Sequence, residues 1–275
     1  MSNYETLRVH VANAVMTVTL SNPPINLETD AMMADLDRLV TLLEGDRDIK
    51  VVVFRSDTPG YFMAHFDIAP GPGRVLPPLG AAPLHGVLHT RISHLDQVTI
   101  GELRGRARGG GSELLLALDM RFASREKALI GQPEIMLGLH AGAGGTARLV
   151  QLIGRGRAFE AALSGLDYDA DTAERYGWIN RALPDAEIHD FVDHLAQRIA
   201  SFPASGIASV KSIINQTSPL SSSVLNEDSA RFWREIQLPE VQERLTWMLA
   251  NGGQTKGPME DDLGTNLARF PENLD

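Results

Sequence analysis

The sequence predicts an α/β fold in which strands and helices alternate, followed by an all-helical C-terminal region. Three observations carry that prediction. Short continuous apolar runs such as KVVVFRS, starting at Lys50, are of the kind buried on both faces of a parallel sheet. Segments with apolar residues at helical spacing fall between such runs. After about Pro184 the strand signal stops, and Asp185 to Ala200, Pro203 to Asn215 and Val224 to Ala250 read as three helical stretches.

In chain order, Leu7, Val9 and Val11 alternate, as do Ala14, Met16, Val18 and Leu20, so the chain opens with a hairpin. SNPPINLETD is a proline-broken loop that ends in Thr29 or Asp30 as N-cap of a helix bearing Met33, Leu36, Leu39, Val40 and Leu43. Beyond KVVVFRS, the segment Arg55 to Pro70 reads either as a strand-to-helix turn that presents backbone amides near His65 and Phe66 at a sheet's carboxyl edge, or as a loop whose aromatic residues pack inward. Ala69 to Pro83 is too rich in proline and glycine for regular structure and reads as a long loop. A helix from Gly86 to Leu95, the strand QVTIGEL, the strand MRFAS and the segment KALIGQPE continue the alternation. Helices through Thr146 to Ile153 and Ala158 to Leu163 follow, then TAERYGWINRAL as helix end and strand. This divides the chain into a core over residues 1–200 and a helical region over 201–275, whose apolar surface needs its own core or a neighbouring subunit.

The 275 residues are 43% apolar and 22% charged, ordinary for a folded globular protein. With no cysteine there are no disulfides or thiolate ligands, and MSNYETLRVHV does not read as a signal peptide. No apolar run approaches spanning length, so a cytoplasmic protein without membrane contact is expected. The net charge of -10 disfavours nucleic acid. Arg104, Arg106 and Arg108 form a local basic group, compatible with an anionic small ligand.

Two segments carry chemistry. GGGSE, Gly109 to Glu113, combines glycines that let a ligand approach with helix-start amides that favour a developing oxyanion. Alone, it reads equally as a glycine turn with a dipole-stabilising glutamate. Glu134, in GQPEIMLGLHAGAGG, follows a proline among small and apolar residues. Two glutamates in such surroundings can converge on one pocket as an acid and base pair.

Together with FMAHFDI, these motifs resemble the enoyl-CoA hydratase/isomerase (crotonase) superfamily over roughly residues 5 to 215. The match comprises GGGSE with Asp119, GQPE with LGL and GAGGT, Asn26 after the double proline, and LSGLDYDADTAERYGWINRAL. The resemblance implies a crotonase-type spiral of ββα units whose helical C-terminal region mediates trimer formation, as a homotrimer or homohexamer. It implies an oxyanion hole from the Phe66 and Gly110 backbone N–H groups, and a substrate site formed by Ala64, Phe66, Asp67, Ile68, Ala69 and Gly110. Glu113 would activate water and Glu134 deliver a proton to the α-carbon of a 2-enoyl-CoA. CoA is expected as part of the substrate, with no separate cofactor and no metal. Enoyl-CoA isomerisation, CoA-independent carbon–carbon hydrolysis of cyclic diketones and a non-catalytic binding role are the alternatives. His65 replaces the usual glycine, and His140 stands where relatives have an apolar residue, so both are candidates for the pocket. Ala69 occupies a position that is basic in many relatives, and the C-terminus departs from the usual hydratase ending.

Overall fold

The computed structural model describes residues 4–69 and 84–271. The hairpin forms as expected from β1 (Leu7–Ala12) and β2 (Val15–Leu20), paired antiparallel. Thr29 caps α1 (Asp30–Gly45), accepting from Met32 N at 3.3 Å. β3 (Val51–Ser56) is buried on both faces: Val52 and Phe54 pack with α1 residues Leu36, Leu39 and Leu43, while Val51 and Val53 face the opposite core.

From β3 onward each winding of the chain contributes a strand to a large sheet, a strand to a small one, and then a helix. β3 is followed by β4 (Tyr61–Met63) and α2 (Leu84–Ser93); β5 (Val98–Leu103) by β6 (Arg106–Arg108) and α3 (Gly110–Ala117). β7 (Met120–Ser124) is followed by β8 (Leu129–Gly131) and α4 (Gly145–Ser164). β9 (Asp167–Asp169) and α5 (Ala170–Tyr176) lead to β10 (Arg181–Leu183). The sheets are ordered β1-β2-β3-β5-β7-β10 and β4-β6-β8-β9. This is the expected crotonase-type spiral.

The two-helix reading around Arg155 holds, because Gly154 interrupts α4 with φ at +77°. The strand-to-helix turn, one of the two readings of Arg55 to Pro70, does not form: Tyr61–Met63 joins the small sheet, paired parallel with β6. Within the predicted long loop, residues 70–83 lie outside the described part.

α6 (Ile188–Ala200) covers the outer face of the large sheet through Ile188, Val192, Ala196 and Ala200. Large side chains so removed from water stabilise by about 1.5–3 kcal/mol each. The C-terminal region holds α7 (Ala204–Thr217), α8 (Ser222–Glu235), α9 (Pro239–Ala250), α10 (Pro258–Asp261) and α11 (Leu263–Leu267). The stretch Val224 to Ala250 is thus two helices, since Pro239 lacks an N–H and can only open a new one. Helices α8 to α11 pack on their own chain, with Phe232, Val241, Met248, Met259 and Leu263 clustering against Met33, Phe66, Leu137 and Leu139. Among the described residues no helix is long and apolar enough to cross a membrane.

The three arginines read as a basic group are each engaged within the chain. Arg104 makes a two-pronged contact to Asp185 at 2.8 and 2.9 Å. Arg106 lies over the Tyr61 ring and donates to Asp261 O. Arg108, fully buried on β6, donates to Asp167 at 2.5 and 2.8 Å and to Glu260 O at 2.6 Å. Removing a buried partner leaves a charge stranded, whereas an exposed pair is worth little. Arg108→Ala therefore costs about 3–5 kcal/mol in urea unfolding and Arg104→Ala about 1 kcal/mol or less.

Candidate active site

Three neighbouring strands of the small sheet, β4, β6 and β8, run parallel, so their carboxyl ends lie side by side. Phe66 follows β4 by three residues, Gly110 follows β6 by two, and Glu134 follows β8 by three. A parallel sheet thereby brings together residues far apart in sequence, at the edge where ligands commonly bind.

Gly109 caps α3 at φ +47°, a conformation costly for other residues. At Gly110 a Cβ would lie 3.1 Å from Phe66 N and collide with Glu28 Oε2. Only glycine lets the two backbones meet. The first-turn amides of α3 have no partner within the helix, so the Gly110 N–H is directed outward. Phe66 is held by a parallel bridge to Glu28, with Glu28 N donating to His65 O at 3.0 Å and Asp67 N to Glu28 O at 3.2 Å.

Glu113 sits one turn into α3, only 2% exposed. Its Oε1 accepts from Ala143 N at 2.7 Å and Gly145 N at 2.8 Å, where α4 begins. These two amides hold the Glu113 carboxyl in a fixed orientation. Glu134 opens a single 3₁₀ turn, Glu134–Leu137, after Pro133. Its remaining accessible surface faces two cavities. Its depth in the protein and then the charge of Glu113 push its carboxyl up to about 8. With its amide nitrogen turned toward Glu134, Gln132 donates to both carboxyl oxygens at 3.0 and 3.2 Å. The raised pKa favours the protonated form of Glu134 at neutral pH.

A cavity of about 40 Å³ is walled by Glu113, Glu134, Gly110, Phe66 and His85 and, from the C-terminal helices, by Phe232, Met248, Leu263 and Leu267. It has room for water but not for an acyl thioester. A second cavity of about 200 Å³ lies on the other side of Glu134, with Ile135, Leu139, Val150, Phe159 and Leu163 in its wall.

Of the candidate residues, Glu113, Glu134, Phe66, Gly110, His65 and Ile68 line the first cavity. Ala64, Asp67 and Ala69 are not in its lining: Ala64 N donates to Ile25 O, and Asp67 Oδ1 accepts from Gln254 and from Ala69 N. Buried His65 donates from Nδ1 to Phe66 O at 2.9 Å and meets Glu260 Oε1 through Nε2 at 3.0 Å. Burial opposes its protonation, but the Glu260 charge outweighs this and raises its pKa. His65 thus ties the site to α10. His140 borders the second cavity and contacts Glu235 Oε2 at 2.5 Å and Asp228 O at 3.0 Å on α8. Against its burial, these two acidic residues push it up to about 9.

Sequence reasoning missed a third group beside Gly110. Glu28, His85 and His89 are all buried, and the His85 ring stacks on Phe66 at 4.6 Å. HGVLH, two histidines four apart at the start of the predicted helix, was the available signal.

The family model described as enoyl-CoA hydratase/isomerase matches residues 10–245. A Dictyostelium discoideum protein named "Probable enoyl-CoA hydratase, mitochondrial" is 31% identical over 80% of this chain and 77% of its own. A Clostridium acetobutylicum "Short-chain-enoyl-CoA hydratase" is 29% identical over 74% of this chain and 78% of its own. The crystal structure titled "putative enoyl-CoA hydratase" from Streptomyces avermitilis superposes with a TM-score of 0.92 at 41% identity, covering 98% of this chain and 99% of that one.

The raised Glu134 carboxyl has a consequence for stability. Between the ordinary value of 4.5 and about 8, the folded chain keeps a proton that the unfolded chain has released, so Glu134 makes stability fall as pH rises through that window. Denaturant unfolding should therefore show Glu134→Gln gaining on the parent chain as pH rises, with the gain complete at about pH 9. Parallel pH profiles for the two proteins would count against the assignment.

Proposed function

The chain belongs to the enoyl-CoA hydratase/isomerase family and is an enzyme of that family, and we propose that it adds water across the 2,3 double bond of a 2-enoyl-CoA. The observation that carries this reading is one cavity in which two carboxyl groups, Glu113 and Glu134, stand beside the Phe66–Gly110 backbone contact, with the Glu134 pKa raised.

In the proposed reaction the thioester oxygen accepts from the Phe66 and Gly110 N–H groups. Each donor stabilises the enolate by about 3 kcal/mol relative to the ground state. Glu113 takes a proton from water as its oxygen bonds to the β-carbon. Glu134 delivers its proton to the α-carbon. Glu113 is then protonated and Glu134 charged, and a proton passing between them restores the starting state. The atoms balance as one water added, CoA enters as part of the substrate, and these steps use no separate cofactor.

The apolar second cavity supports accommodation of a hydrocarbon chain beyond Glu134. At about 40 Å³ the cavity is too small for an acyl thioester, so substrate entry requires its wall, which includes Phe232, Met248, Leu263 and Leu267, to move outward. Engagement of His65 by Glu260, and of His140 by Asp228 and Glu235, weighs against histidine-driven carbon–carbon hydrolysis. Exposed Val210, Ile213 and Ile214 on α7 support the further proposal of a homotrimer or homohexamer.

The test is hydration of a panel of short and medium 2-enoyl-CoA thioesters. Glu113→Gln and Glu134→Gln should each lower kcat by about 10²–10⁴-fold. Absence of hydration across the panel, or full activity in both variants, would overturn the reading.

A further inference from the structure

The proposed hydration leaves Glu28, His85 and His89 without a part, and among the described residues they are the one cluster with donors arranged for a metal ion. We propose that these three residues form a binding site for a divalent transition-metal ion of the zinc class, seated against the Phe66–Gly110 backbone. The proposal does not depend on the hydratase reading.

His85 and His89 stand four residues apart on α2 and so share one helix face. Glu28 comes from the loop before α1. Its Oε2 lies 2.9 Å from His85 Nε2 and its Oε1 3.3 Å from His89 Nε2. Around an ion with ligand bonds of 2.0–2.2 Å, neighbouring ligand atoms are about 3–3.5 Å apart. All the donor atoms lie within 4.8 Å of one another, so closing on an ion draws the rings slightly inward.

These contacts are poor hydrogen bonds. Both Glu28 oxygens, His85 Nε2 and both His89 nitrogens are buried without a well-aligned hydrogen bond, although Glu28 faces both rings at ion-pair distance. Buried polar atoms almost always find well-aligned partners, and five in one place that do not leave this cluster open to an occupant. A cation satisfies Glu28, His85 and one nitrogen of His89 together. Two imidazoles and a carboxylate suit zinc, cobalt or ferrous ions rather than calcium or magnesium, which take oxygen ligands.

Position gives the ion a consequence. Glu28 Oε2 lies so close to Gly110 that a Cβ there would collide with it, so the Glu28 carboxylate, with His85 and His89 beside it, flanks the amide aimed at a developing negative charge. A divalent ion reverses the sign of that local charge.

The test uses the full chain, stripped with chelator and titrated with Zn²⁺ by calorimetry and with Co²⁺ by visible absorption. One equivalent per chain should bind and give cobalt d–d bands. That equivalent should be lost in Glu28→Gln and in His89→Ala but kept in Glu134→Gln. Exposed histidines such as His94 can add weak sites, which the three variants share with the parent. X-ray absorption of the zinc-loaded parent chain gives a readout independent of variant folding, with two imidazoles expected around the metal. No cobalt bands, equal binding in all four proteins, or a zinc shell without imidazole would overturn the proposal.

Discussion

The site depends on the parallel register of three very short strands. β4, β6 and β8 contribute three residues each, yet their pairing decides where Phe66, Gly110 and Glu134 emerge. Strands of that length cannot hold a sheet alone. Arg108 supplies part of the missing cohesion, reaching Asp167 on β9 and the Glu260 carbonyl from the centre of the small sheet. Backbone bonds from Arg108 N to Ala64 O at 3.2 Å and from Gly109 N to Gly131 O at 3.1 Å extend the ladder to the point where the chain turns into the site.

A second layer of organisation is electrostatic. Two carboxyl groups sharing a cavity resist being charged together, and their surroundings decide which one keeps the proton. Glu113 receives two amide donors at the start of α4, while Glu134 sits deep between two cavities with Glu113 as its charged neighbour. The C-terminal helices complete the enclosure that sustains this difference. His65 with Glu260, and His140 with Asp228 and Glu235, fasten them to the segments carrying Phe66 and Glu134.

Most of the large sheet was legible in the sequence because its strands either alternate, as in Leu7–Ala12, or run continuously apolar, as in Val51–Phe54. The small sheet was only partly legible. YFM, RAR and DYD are too short to show a period, and two of them carry charges that argue against burial. Glu113, Glu134, Phe66 and Gly110 could be found because their motifs are local, and the structure brings all four to one cavity. Glu28 was hidden, because a single carboxylate in a proline-broken loop gives no hint that α2 will set two histidines against it. The wrapping of α9 to α11 over the site was illegible for a similar reason. Helical periodicity identifies an apolar face but not the surface that covers it.

The raised pKa of Glu134 implies that this buried carboxyl keeps its proton at neutral pH. Infrared difference spectroscopy measures this directly, since a protonated carboxyl has a carbonyl stretch distinct from that of a carboxylate. The account predicts such a band at neutral pH that titrates away near the value of about 8 and is absent in Glu134→Gln. A band lost instead in Glu113→Gln, or no buried carboxylic acid at neutral pH, would contradict it.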